Sequence, residues 1–83
     1  MEYYLLIARS ITYAQRMQRA LRQAGIPSGI LRAPAQVNPK GCSHAVRIGP
    51  EDLARAQNVL SAVKLQPNHI YAKTQQGYEE VAP

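Results

Sequence analysis

Residues 28–48 read SGILRAPAQVNPKGCSHAVRI, and the parsing of this stretch decides the fold. Ser28 to Ala33 forms a short strand whose apolar content is Ile30 and Leu31, closed by Pro34. Residues 34–43 have no periodicity of their own: Pro34, Asn38, Pro39 and Gly41 are turn formers, and Pro39 has no N–H to give to a ladder. From His44 to Ile48 the chain alternates, with Val46 and Ile48 on one face and Ala45 and Arg47 on the other. Two strands thus follow one another with no helix between them. A parallel pair would need a crossover, usually helical, so a small open parallel sheet is disfavoured and antiparallel pairing is expected.

Working outward toward the N-terminus, Tyr3 to Ala8 is apolar on both faces, as a central strand requires. Ser10 stands at the N-cap position of a helix, with Thr12 as the alternative cap. Ala14, Met17, Leu21 and Ala24 recur at helical spacing, and Arg16, Arg19 and Arg22 take the other side. Gly25 follows as a residue able to adopt positive φ, and Pro27 prevents continuation. Toward the C-terminus, Gly49-Pro50-Glu51-Asp52 predicts a helix start with proline at the first helical position. Leu53, Ala56, Leu60 and Val63 form its buried stripe, Pro67 and Asn68 end it, and His69 to Lys73 is a fourth strand. Thr74 to Pro83 has little apolar content and is expected to be a flexible tail, dispensable for folding, on which only Tyr78 and Val81 are able to dock.

The resulting order is βαββαβ. It predicts an α+β fold of the ferredoxin-like type: one domain over residues 1–73, a four-stranded antiparallel sheet with the first and third strands central, and two helices on one face.

Eighty-three residues leave room for a single core. The longest apolar run, Tyr3 to Ala8, is far too short to cross a membrane, and there is no secretory signal, so a cytoplasmic location is expected. One cysteine forms no internal disulfide, which also points inside the cell. Cys42, His44 and His69 have no structural-zinc spacing, so neither a metal nor another cofactor is expected. The charge is lopsided. No acid occurs between Glu2 and Glu51, where Arg9, Arg16, Arg19, Arg22, Arg32, Lys40 and Arg47 place seven positive charges. That asymmetry favours an anionic partner, whether RNA, an acidic protein surface or a small oxyanion, or else a solvated basic face that keeps the protein soluble.

The loop at 34–43 is long for a hairpin connection, and long loops in compact domains often carry function. Cys42 lies at its end, with Lys40 two residues before it and His44 two residues after. Both neighbours favour the thiolate, the nucleophilic form of the thiol, and Gly41 leaves room for approach to sulfur. The structural alternatives are a small buried cysteine, a solvated lysine and a partly buried, hydrogen-bonded histidine. His69 is given no role. Arg47, Arg32 and Tyr71 are expected on the sheet face that the helices leave uncovered. A comparison with RNA-recognition sheets fails there, because the third strand has no aromatic residue and the chain has no Phe or Trp. A homodimer interface suits that face at least as well. No phosphate loop, carboxylate pair or Ser/His/Asp set is visible, which argues against hydrolase or transferase chemistry.

The opening strand YYLLIA, the AQRMQRALRQAGIPSGILRAP segment, the GCSHAVRI stretch and the PEDLARAQNVL helix together resemble the small bacterial family called Putative Se/S carrier protein-like, over roughly residues 3–72. In that family the loop after the second strand leads to a cysteine, and Cys42 matches it. Ser43 stands where glycine is usual, and His44 where an apolar residue is common. The resemblance implies a carrier that holds reduced sulfur or selenium on Cys42 as a persulfide or selenopersulfide. It implies donor and acceptor proteins as partners, with Lys40 and His44 modulating the thiol. The alternative is a non-catalytic protein-interaction or regulatory domain, with a weak RNA-binding module as a third reading.

Overall fold

The computed structural model describes residues 2–37 and 43–81. Its elements are β1 (Tyr3–Ala8), α1 (Ile11–Gln23), β2 (Ser28–Arg32), β3 (His44–Ile48), α2 (Leu53–Ala62), β4 (His69–Thr74) and β5 (Gly77–Val81). The sheet is antiparallel throughout in the order β2-β3-β1-β4-β5. The βαββαβ order and the interior placing of β1 and β3 follow the expectation from residues 28–48. The expected four strands do not: a fifth is added from the segment read as a tail.

The reason is the register. β5 pairs Tyr78 with Lys73 and Val81 with Ile70. This lays Tyr78 beside the second sheet face and Val81 against the helix-side core. Gly77, at φ +121°, makes the return possible after Thr74. Two apolar contacts and a full antiparallel ladder outweigh the polar composition of Glu79 and Glu80, which remain exposed.

α1 is built as its sequence dictates. Ser10 Oγ accepts from the Tyr13 N–H at 3.1 Å, a cap whose loss costs about 1 kcal/mol. Ala14, Met17 and Leu21 are buried. The helix ends at Gly25, φ +79°, where the Ile26 N–H reaches back to the Leu21 carbonyl at 2.9 Å and Ile26 is buried. α2 starts later than expected. Residues 49–52 form a turn closed by the Asp52 N–H to the Gly49 carbonyl at 3.2 Å, so Pro50 precedes the helix rather than opening it. Ala56 and Leu60 are buried, whereas Val63, expected in the stripe, is 48% exposed because it falls at the C-cap, where the helical period stops.

Both helices cover one sheet face. Ala14, Met17, Leu21, Ala56 and Leu60 pack with Leu6, Ala8, Val46, Ile48 and Ile70 in one cluster. The opposite face is not bare. Leu5, Ile7 and Ala45 are buried there with Ala33, and Leu31, Val37, Tyr3, Tyr71 and Tyr78 pack against them. Ala33 and Val37 belong to the start of the long β2–β3 loop, and this start lies on the sheet face that no helix covers. No helix among the described residues is long and apolar enough to cross a membrane.

Candidate functional site

The loop between β2 and β3 is seated at both ends. On leaving β2, the Ala33 N–H donates to the Ser43 carbonyl at 3.0 Å, one step beyond the Arg32–His44 pair that ends the ladder. The Val37 N–H then donates to the Pro34 carbonyl at 3.0 Å, a turn that brings the Val37 side chain onto the Leu5–Ile7–Ala45 cluster. Lys40 and Cys42, together with the turn formers Asn38, Pro39 and Gly41, lie outside the described residues. The described residues that flank them are Val37 on one side and Ser43 on the other.

His44 opens β3 opposite Ala8 of β1 and Arg32 of β2. It shares the helix-side face with Val46 and Ile48, as its alternation predicts. The expectation of a hydrogen-bonded histidine is not met at one nitrogen: Nδ1 is buried and has no hydrogen-bond partner. A buried N–H without an acceptor costs more than a bare lone pair there. No carboxylate accompanies the ring, and among the described residues no group of three His, Cys, Asp or Glu side chains can hold a metal ion.

The end of the sheet that carries this loop also carries the start of α1. β1 runs out at Ala8, the residue beside His44, and Ser10 caps α1 two residues later. Beside these, the Asn68 N–H donates to the Ile7 carbonyl at 2.8 Å and Tyr13 Oη donates to the Gln66 carbonyl at 3.1 Å, fixing the entry to β4. The loop stem therefore projects from a rigid edge made by β1, β2, β3 and β4.

Of the three residues expected together on the second face, Arg47 and Tyr71 are there and Arg32 is not. Leu31 turns to the second face, so its neighbour Arg32 lies on the helix side. The second face also holds contacts that the sequence did not disclose. Arg47 lies over the Tyr3 ring at 5.6 Å, Lys73 over the Tyr78 ring at 5.5 Å, and the Tyr3 and Tyr78 hydroxyls are 3.0 Å apart. Burial, the Tyr3 hydrogen bond and the charges of Tyr3 and Glu2 push the Tyr78 phenol up to about 12. His69 Nδ1, given no role in the sequence, is 2.7 Å from Glu80 Oε2. All of these except the Arg47–Tyr3 contact depend on β5, whose only signal in the sequence was the apolar pair Tyr78 and Val81.

Compared with known families, residues 3–72 match the family model described as Putative Se/S carrier protein-like. No curated protein and no solved structure matches the chain.

Proposed function

We propose, from the premise that the chain belongs to the Putative Se/S carrier protein-like family, that it receives a sulfur or selenium atom on Cys42 and passes it between partner proteins. The observation that supports this most is the seating of the Cys42 loop. Its described ends are fixed by the Ala33–Ser43 bond and by Val37 on the Leu5 cluster, so the segment that carries Cys42 leaves from and returns to the end of the sheet. The chain's one cysteine is there and nowhere else.

The chemistry needs no cofactor. The Cys42 thiolate attacks the outer sulfur of a donor persulfide, R–S–SH. The donor S–S bond breaks, R–S⁻ leaves, and Cys42–S–SH forms with the proton retained on the outer sulfur. The second step is the same exchange, in which an acceptor thiolate takes that outer sulfur and Cys42 leaves as the thiolate. A selenium atom travels by the same route as Cys42–S–SeH. Lys40 and His44, two residues to either side of Cys42 in the sequence, modulate the ionisation of its thiol. The scaffold is of the ferredoxin-like type, a single domain whose βαββαβ core carries β5 as an added edge strand. Its partners are the donor and acceptor proteins, in a reducing cytoplasm that keeps the thiol free.

The test is incubation with a cysteine desulfurase and cysteine, followed by mass spectrometry of the native protein. The expected result is an adduct of one sulfur atom on Cys42, removed by a small thiol and lost in Cys42→Ser, which folds normally. A folded protein with no adduct and a thiol as slow to alkylate as an occluded one would overturn the proposal in favour of an interaction domain.

A further inference from the structure

The outer face of α1 is a strongly basic surface with no apolar residue at its centre. Arg16, Arg19 and Arg22 are all exposed, and α1 contains no acid. The groove on this face is lined by Gln15, Gln18, Arg19, Arg22 and Gln23 alone. Gln18 Nε2 and an Arg22 guanidinium nitrogen both donate to the Ser28 carbonyl, at 3.0 and 3.1 Å, and so hold the groove against edge strand β2. Arg32, exposed at the end of β2 and on the helix side, extends the charge along the same edge. Among the described residues the ion pairs are Arg55 with Asp52 and His69 with Glu80, and none of Arg16, Arg19, Arg22 and Arg32 forms one there. The sheet order sends two of the five acids to the far edge. Glu79 and Glu80 lie on β5, at the edge opposite β2.

We infer that this α1–β2 face binds the phosphate backbone of a double-helical nucleic acid without regard to sequence. Charge fixes the class as polyanion, and composition chooses within it. A protein interface takes its affinity from buried aromatic or aliphatic anchors. Here the groove offers only guanidinium and amide groups, and the exposed large hydrophobics among the described residues, Ile11 and Val63, line none of it. Contacts to phosphate come from such Arg and Gln side chains, in wet and highly charged interfaces. No aromatic ring lines the groove for bases to stack on, so an unstacked single strand gains nothing over a duplex. The spacing also suits. Arg16 to Arg22 spans ~9 Å of helix axis, or one cation per ~4.5 Å, against one phosphate per ~3.4 Å along each strand of a duplex. This surface is independent of Cys42 and stands or falls separately from the carrier chemistry.

The test is anisotropy of a labelled ~20-base-pair duplex, in DNA and RNA forms, titrated with the full chain at several salt concentrations. With three to four phosphates neutralised, affinity should fall roughly 40-fold or more between ~50 and ~200 mM salt. Arg16→Gln and Arg19→Gln should each weaken binding and lower the logarithmic salt slope by about one. Lys64→Gln, on the C-terminal side of α2, and Cys42→Ser should leave both quantities unchanged. Circular dichroism confirms that each variant folds. Absence of salt-dependent duplex binding, or a slope unmoved in the folded Arg16→Gln/Arg19→Gln double variant, overturns the inference. So does polyglutamate binding through these arginines when the duplex does not bind, which would assign the face to an acidic protein.

Discussion

Tyr3 of β1 and Tyr78 of β5 share a hydroxyl–hydroxyl hydrogen bond of 3.0 Å across β4, with their rings edge-on at 6.5 Å between centroids. Lys73, the residue paired with both, lies between them in the sheet. The bond joins the first strand of the chain to the last and makes β5 part of the fold. Tyr78→Phe keeps the ring and removes the bond, and should cost about 1 kcal/mol. Truncation after Thr74 should cost more, because it also removes Val81 from the helix-side core and leaves β4 as an edge. Thermal melts of the two variants check this; a truncated chain as stable as the full one would show that β5 contributes nothing.

The same contact makes stability sensitive to alkali. Tyr78 ionises at about 12 in the folded chain against 10.0 when free, chiefly because burial disfavours the phenolate. The folded state therefore holds its proton more tightly than the unfolded state. The contribution is complete below pH 10 and is lost as pH rises from 10 toward about 12. Tyrosinate absorbance should show the late ionisation of Tyr78, and Tyr3→Phe should move it toward the ordinary value.

Lys64 has φ +59°, in the left-handed region, where the Leu65 N–H returns to the Leu60 carbonyl at 2.9 Å. This is the arrangement by which Gly25 and Ile26 end α1, with a side-chain-bearing residue in the glycine position. A left-handed conformation costs a non-glycine residue roughly 1–2 kcal/mol, part of which glycine's greater unfolded freedom offsets. Lys64→Gly should therefore stabilise the chain by about 1 kcal/mol, and Gly25→Ala should destabilise it by a similar amount. Chemical denaturation of both variants reads the two opposite shifts.

The parts of the fold legible in the sequence are those with local causes. Ser10, Gly25 and the alternation of His44 to Ile48 each settle their own geometry through a cap, a positive φ or a two-residue period. The missing pair connectivity also sufficed to make β2 and β3 antiparallel. What escaped was decided by packing at long range. β5 is polar in composition and is recruited by two residues, Tyr78 and Val81, whose partners are remote in sequence. The second face looked uncovered because nothing in Ala33 or Val37 announces that these two residues pack against Leu5 and Ile7. At the candidate site the sequence placed His44 on the correct face, but a histidine's hydrogen-bond partners are set by the surroundings, and its orphan nitrogen had no local signature.

That nitrogen separates a structural from a chemical role for His44. A buried polar atom without a partner costs about 1–3 kcal/mol relative to a satisfied or apolar replacement. His44 is paired with Ala8 and shares the helix-side face with Val46, both of them core residues, so an apolar side chain suits the position. His44→Val, β-branched like its strand neighbour Val46, should thus leave stability unchanged or raise it by about 1 kcal/mol. If His44 takes the proton from Cys42, the same substitution should slow alkylation and sulfur loading near neutral pH and shift their pH profiles upward, with little effect where the thiol ionises unaided. His44→Ala, which opens a cavity, should share the shifted profile while losing stability, so the kinetic effect is read independently of folding. A His44→Val protein that is stable and loads Cys42 at the original rate across the whole pH range would show that His44 takes no part in the chemistry, leaving Lys40 as the group that activates the thiol.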